Sequence, residues 1–223
     1  MLKTEDFIRS IPINTKTDRD VDVFTLMEWI QKVAQNYGGK IPSLLDVGAH
    51  WSHAYYASKI RPYIQRYDAI DILEDQNTAD IVDNYYVGNA INYAYPQKYD
   101  VVICVSTIEH AGVSTYKGEP AQEQHLLFRE CFKQANKYVF LSFPIGQKYL
   151  YEGELSVIHK EIFDNWTNFI TALGAKYKTR FFYNQSVTEG YPWREHAKED
   201  VALAIPYLDM LGTQSIGILE IEK

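Results

Sequence analysis

Ser43-Leu44-Leu45-Asp46-Val47-Gly48-Ala49-His50-Trp51-Ser52 is the stretch on which the reading of this chain turns. An apolar run ends on an acid, a single glycine makes a tight turn, and a polar segment opens the next element. That order describes a β-strand feeding an α-helix in an open α/β sheet, where ligands bind in the crevice beyond the carboxyl ends of the strands. A glycine there gives the backbone conformations closed to other residues and brings its N–H groups close to a ligand.

Working outward, the same pattern repeats. Before the stretch, Val23, Leu26, Met27, Ile30, Val33 and Ala34 recur at helical spacing, with Asp22 as the expected N-cap and Gly38-Gly39 as the stop. Residues 1–40 thus read as a helical lead-in, irregular up to Asp20 apart from a short helix at Glu5–Ser10. After it come an expected helix His53–Ile60 broken by Pro62, a strand Gln65–Ile72 ending near Asp71, and a strand Val82–Val87 followed by Gly88-Asn89-Ala90. Tyr99–Val105 is a continuous β-branched run, as expected of a parallel strand buried on both faces. It ends on Ser106-Thr107-Ile108-Glu109-His110, and the loop Ala111–Pro120 leads to an amphipathic helix, roughly Glu123–Asn136. Next are a strand Lys137–Ser142 closed by Phe143-Pro144, a helix Lys160–Leu173 stopped by Gly174, a strand Lys176–Tyr183, a loop Gln185–Asp200 and a last strand Gln214–Ile221. Alternation of strand and helix through the first five strands predicts a parallel doubly wound sheet, and the last two strands are free to pair antiparallel at its edge. No repeat or linker divides the chain, so residues 1–223 read as one domain.

Composition narrows the function. At 223 residues with 46% hydrophobic and 23% charged residues, the chain is long enough for one well-filled α/β domain. A net charge of −7 argues against a broad nucleic-acid-binding surface. No apolar run reaches the ~20 residues of a membrane span, and no leader is visible, so a cytoplasmic protein without membrane contact is expected. Cys104 and Cys131 fall in apolar patterns and read as buried thiols. The 18 tyrosines suit a substrate cleft or a half-buried sheet surface.

Successive strand ends carry Asp46-x-Gly48, Asp71, Asn89 and Glu109-His110. With Leu44-Leu45-Asp46-Val47-Gly48, Tyr67-Asp68-Ala69-Ile70-Asp71 and Tyr99–His110, the chain resembles the class I S-adenosylmethionine-dependent methyltransferases, from about Ser43 to its end. The last of these stretches is similar to the fourth-strand motif of small stand-alone bacterial members. The resemblance implies a Rossmann-like, seven-stranded, mostly parallel sheet with an antiparallel last strand and helices on both faces. It implies S-adenosylmethionine as cofactor and methyl transfer to a small-molecule or glycan acceptor, most readily at oxygen, and it allows a homodimer. Carried over residue by residue, Asp46 would lie near the methionine amino group, with Gly48 and Ala49 giving backbone room. Asp71 would take the ribose hydroxyls, and Asn89 would read the adenine with Ala90 beside the ring. Ile108 and Val105 would wall the pocket, and Glu109 and His110 would face the reacting methyl. A hydroxyl acceptor benefits from a base, and an imidazole, with an ordinary pKa of about 6.5, suits that task.

The chain departs from the family pattern in having one glycine after the acid, with His50 and Ser52 where others would stand, and Asn89 where an acid is common. A turn so poor in glycine makes a nicotinamide dinucleotide the less attractive reading, since it lacks Gly-x-Gly-x-x-Gly. His50-x-x-His53 could face a metal, but no nearby acid or cysteine completes a site, so none is expected. Ser142-Phe143-Pro144, Tyr149, Tyr151, His159, Tyr183, Tyr191 and Trp193 are candidates for a substrate mouth, and Gln185–Glu195 for a lid. Two rivals stay open: a non-catalytic binding or scaffolding protein of the same fold, and a nucleotide-sugar or dinucleotide enzyme.

Overall fold

The computed structural model describes residues 17–50, 54–113, 120–151, 155–184, 193–196, 199–203, 205 and 215–223. In chain order these form α1 (Asp18–Asn36), β1 (Ile41–Val47), α2 (Ala54–Ile60), β2 (Ile64–Asp71), α3 (Gln76–Ala79), β3 (Asn84–Val87), β4 (Tyr99–Val105), α4 (Pro120–Gln134), β5 (Ala135–Pro144), β6 (Leu150–Tyr151), β7 (Leu155–Ser156), α5 (Lys160–Ala172), β8 (Lys176–Asn184), β9 (Trp193–His196), α6 (Glu199–Leu203) and β10 (Ser215–Glu222). The main sheet runs β3-β2-β1-β4-β5-β10-β8-β9, and β6 and β7 make a separate small hairpin.

Strands β1 to β5 are parallel, so their carboxyl ends share one edge. The expected doubly wound sheet is therefore present, with the closing strand antiparallel to its neighbours. Its position differs from expectation: β10 inserts between β5 and β8 rather than lying at the edge. The polar stretch expected as loop after Gln185 contains β9 and α6, and β9 adds an eighth strand beyond β8. Short, aromatic and charged, Trp193–His196 lacks the alternation that marks a strand in sequence. Arg180 holds it in place by donating to both carboxylate oxygens of Glu195 at 2.9 Å, while another of its nitrogens reaches Glu28 of α1 at 3.0 Å.

Strand alternation divides the core. Leu45, Val47, Val102, Cys104, Val139 and Leu141 face α4 and α5, where Phe128 stacks on Trp166 at 5.0 Å. Leu44, Val101, Ile103 and Phe140 face α1 and α2. At β10 a glycine is needed for packing, since a Cβ on Gly217 would stand 2.7 Å from the ring of its cross-strand partner Phe143. Cys104 and Cys131 are buried free thiols, as expected.

The start of α1 differs too. Thr17, not Asp22, is the N-cap, and Thr17 and Asp20 cap each other's backbone N–H groups in a capping box. The first turn is polar and gives no apolar period, which is why the pattern places the helix start late. Asp22 instead lies inside the helix with 1% of its surface exposed. No helix among the described residues is long and apolar enough to cross a membrane.

Candidate functional site

The carboxyl ends of β1, β2, β3 and β4 are tied to one another by hydrogen bonds. Gly48 N–H donates to the Ile70 carbonyl at 2.8 Å and Ala49 N–H to the same oxygen at 3.2 Å, joining the turn after β1 to β2. Gly88 N–H donates to the Asp71 carbonyl at 2.8 Å, joining the residue after β3 to the end of β2. Thr107 Oγ1 lies 3.3 Å from the Gly48 carbonyl, joining the segment after β4 to the same turn. Tyr85 of β3 reaches the Leu73 carbonyl at 2.8 Å and the Ala49 carbonyl at 3.1 Å. Residues from four separate parts of the chain therefore meet on one edge.

Gly48 has φ +82°. A Cβ there would overlap the side chain of Thr107, whose own Cβ is 2.6 Å away. This one glycine is thus needed twice, for its backbone conformation and for the close approach of Thr107. The absence of further glycines is matched by the way Ala49 is fully buried and pinned to Ile70.

The candidate residues divide into surface and support. Gly48, His50, Asp71 and Ala90 are half-buried and Asn89 is exposed, so each keeps a face toward solvent. Asp71 accepts the Leu73 N–H at 2.9 Å on one oxygen, and burial raises its carboxyl above the ordinary range despite the nearby His50. The Asn89 side-chain carbonyl accepts the Ile91 N–H at 2.9 Å, which sets the loop that presents Ala90.

Asp46, Ala49, Val105 and Ile108 keep at most 1% of their surface exposed, so the structure makes them supports rather than ligand-facing groups. Tyr56 donates to Asp46 at 2.9 Å and Tyr67 at 2.7 Å. Burial pushes the Asp46 carboxyl up to about 7, although both phenols lower it. Its direction follows from register: Leu45 and Val47 face the α4 side, so Asp46 between them points under α2. Sequence reasoning did not find Tyr56 and Tyr67 as its partners, since nothing in their spacing links them to Asp46. It also did not identify Asp68 as a hub. There a buried carboxylate receives Arg66 at 2.9 Å, Asn84 at 2.8 Å and Tyr99 at 2.8 Å, locking β2, β3 and β4 together.

Beyond β4, the Ile108–His110 turn holds Glu109 at 3% exposure and His110 on the surface side, with Glu109 Oε1 3.8 Å from His110 Nε2. Burial raises the Glu109 carboxyl, and its Oε2 has no hydrogen-bond partner. Alongside, Ser106 takes φ +43° and donates to Asp22 at 2.7 Å. Burial pushes Asp22 up to about 7, and its Oδ1 is unpartnered. Ser142, expected at a substrate mouth, is fully buried and its hydroxyl accepts the Ser106 N–H at 3.1 Å, while Phe143 is core. Trp193 is buried in the opposite core, whereas Tyr149 and His159 line a cleft between the N-terminal ends of α4 and α5.

Several expectations fall outside the described residues: Ser52 of the first motif, His53 of the two-histidine motif, the helix Glu5–Ser10, Tyr191, the side chain of Tyr151 and the 185–192 part of the lid segment. Among the described residues no three His, Cys, Asp or Glu side chains gather as a metal site.

No family model and no curated sequence matches the chain. Solved structures do. The magnesium protoporphyrin IX methyltransferase of Synechocystis PCC 6803, with bound SAM, is similar over 92% of this chain and 82% of its own, with 14% identity and a TM-score of 0.53. The N-methyltransferase NodS of Bradyrhizobium japonicum WM9, in complex with S-adenosyl-L-homocysteine, matches over 94% and 89%, with 10% identity and a TM-score of 0.55. A SAM-dependent methyltransferase from Archaeoglobus fulgidus matches over 88% and 94%, with 15% identity and a TM-score of 0.50. The agreement in architecture extends along nearly the whole chain while the sequences have diverged. This protein has the fold of the class I S-adenosylmethionine-dependent methyltransferases.

Proposed function

We propose that this chain is a methyltransferase that uses S-adenosylmethionine and methylates a small molecule or a sugar at oxygen. One observation carries the reading: an accessible carboxylate, Asp71, stands at the end of β2 on the same edge as the Gly48 turn, the Asn89 loop and the Glu109–His110 turn. The similarity to methyltransferases with bound SAM or S-adenosylhomocysteine supports it.

The residues present fit that cofactor. Burial and then the nearby Asp71 raise the Tyr85 phenol, and Asp71 and the exposed Glu74 put carboxylates at the rim of this crevice. An acidic rim attracts a sulfonium and an ammonium group. When bound, S-adenosylmethionine supplies a methyl group already activated by the positive sulfur. Asp71 holds the ribose, since a carboxylate can accept from two hydroxyls at once. Asn89 and Ala90 border the adenine, while Gly48 leaves room for the methionine moiety. Asp46 acts from below by fixing the turn through Tyr56 and Tyr67 and does not touch the ligand.

The protein's task in the transfer is then placement, and a well-oriented pair of reactants can supply most of the rate. His110 takes the proton from the acceptor hydroxyl. Glu109, 3.8 Å away and kept largely from water, stabilises the imidazolium that results. A base is not needed for an acceptor that is already a neutral amine, so His110 matters most if the acceptor atom is oxygen.

Calorimetry with S-adenosylhomocysteine tests the cofactor part. Binding that is lost on Asp71→Ala is expected, and no heat at millimolar ligand would overturn the reading. A second reading, a non-catalytic protein of the same fold, is favoured by the sealing of Asp46. It predicts the same failure to bind.

A further inference from the structure

We propose that Asp22 of α1 is a positioning residue for methyl transfer: through Ser106 it sets the turn after β4 that walls the methyl-donor site and bears Glu109 and His110. This rests on the methyltransferase reading and adds to it a residue that touches neither ligand. Ser106 follows the last residue of β4 and takes φ +43°, a region of backbone space that residues other than glycine seldom enter. Among the described residues no other non-glycine has a positive φ. Such a conformation persists only where its surroundings over-determine it. Three contacts do so here. The Ser106 N–H donates to the Ser142 carbonyl at 3.0 Å and to the Ser142 hydroxyl at 3.1 Å, and the Ser106 hydroxyl donates to Asp22 Oδ2 at 2.7 Å. The first two come from the neighbouring strand β5 and hold the N–H alone. The third comes from α1, 84 residues away in sequence, and holds the side chain.

The left-handed residue turns the chain so that Thr107 Oγ1 lies 3.3 Å from the Gly48 carbonyl, and Thr107 fills the space that a Cβ on Gly48 would need. The Thr107 carbonyl in turn accepts the His110 N–H at 3.0 Å, which closes the Ile108–His110 turn. Asp22 is thus joined by contact to the donor side of the crevice at Gly48 and to the acceptor side at His110. With 1% of its surface exposed, it acts without reaching a ligand. Loss of its oxygen frees the Ser106 side chain, lets the strained backbone relax, and moves Thr107 away from Gly48. A displacement of about 1 Å, caused far from the reacting atoms, is enough to impair a site of this kind. Arg19 Nη1 stands 4.0 Å from the same Asp22 oxygen, so the hydrogen bond and the charge have to be told apart. Burial raises the Asp22 carboxyl to about 7, so the neutral acid is well populated at neutral pH and an amide is a close mimic of it.

The test measures S-adenosylhomocysteine affinity by calorimetry on the wild type, Asp22→Ala, Asp22→Asn, Ser106→Ala and the double variant Asp22→Ala with Ser106→Ala, each confirmed as folded by urea titration. A bond that only adds stability would move the urea midpoint and leave the affinity alone. Asp22→Ala and Ser106→Ala should each weaken binding about tenfold. The double variant should be no weaker than either single change, since both remove the same contact. Asp22→Asn keeps an oxygen for Ser106 and drops the charge that faces Arg19, and it should restore most of the affinity. Undiminished affinity in Asp22→Ala, equal losses in Asp22→Asn and Asp22→Ala, or additive losses in the double variant would overturn the proposal. If Asp22→Ala does not fold, Ser106→Ala leaves Asp22 in place and decides by its own loss or retention of affinity. The Thr107 methyl signal, read by NMR without ligand, should shift in both alanine variants and return in Asp22→Asn; a signal that stays in place would count against the proposal. Failure of the wild type to bind would overturn the methyltransferase reading and the role in donor binding, while the methyl signal would still show whether Asp22 sets the turn.

Discussion

At the ends of β1, β2 and β3 the buried polar side chains of the described residues are matched by protein partners: Asp46 by two tyrosines, Asp68 by Arg66, Asn84 and Tyr99, Asp75 by Thr78. At the ends of β4 and β5 the matching is partial: Ser106 bonds Asp22 and Ser142, but other groups are left over. Asp22, Glu109, Gln124, His159 and Ser215 each keep a buried polar atom without a partner. The first region has an acidic rim and a finished hydrogen-bond network, as expected where one unchanging ligand is received by a preorganised surface. The second is adjoined by a cleft lined with Lys148 and two histidines and has groups left over. On the proposed function, the first region receives the methyl donor and the second, with His110, the acceptor.

The largest effect expected on this contrast is at the shared wall. Gly48→Ala puts a Cβ into Thr107 at a positive φ, and strain plus overpacking of this kind costs about 3 kcal/mol. Differential scanning calorimetry should show a clear fall in the melting midpoint, and titration should show no S-adenosylhomocysteine binding. Asp71→Ala should act on binding alone. Losing hydrogen bonds to a charged group is worth about 1.5–3 kcal/mol, or roughly 10- to 150-fold in affinity, with the melting midpoint unchanged.

Asp46 sharpens the contrast through pH. Its folded carboxyl titrates at about 7, above the ordinary 3.8, so the native state binds the proton more tightly than the unfolded chain does. The favourable contribution is complete below pH 3.8 and is lost as pH rises to about 7. Asp22 works in the same direction. Asp68 works in the opposite one: its hydrogen bonds from Arg66, Asn84 and Tyr99 outweigh burial and lower its carboxyl, so it loses stability as pH falls through that lowered value. Asp46→Asn should therefore flatten the decline between pH 4 and 7, by an amount on the order of 2 kcal/mol in urea titrations. The smallest effect belongs to Tyr85→Phe, which removes the hydroxyl that binds Leu73 and Ala49. It should cost about 1 kcal/mol in urea titrations and weaken S-adenosylhomocysteine several-fold by loosening the turn.

Much of this was legible in the sequence because it is local. The Tyr99–Val105 strand has its expected bounds, and the apolar run to Val47, the single glycine and Asp71 at the end of β2 each carry their signal within a few residues. What was illegible depends on distant partners. Asp46 has the form of a ligand-facing acid at a strand end, yet strand register aims it at Tyr56 and Tyr67. Asp22 has the form of a helix cap, yet it lies a turn inside α1 and meets Ser106, 84 residues away in sequence at the end of β4. The insertion of β10 between β5 and β8 is likewise a matter of long-range pairing, which no period within Ser215–Glu222 encodes. Of the residues expected at a substrate mouth, Tyr149 and His159 do line one cleft, while Lys148 and His125 join them there through the fold and through no local pattern.

A crystal structure of the chain soaked with S-adenosylhomocysteine tests the division of labour most directly. Density is expected above Gly48, with ribose hydroxyls on Asp71, adenine beside Asn89 and Ala90, and the sulfur directed toward the Glu109–His110 turn. A ligand lying in the Lys148 cleft instead, or contacting Asp46 after displacement of Tyr56 and Tyr67, would contradict that division.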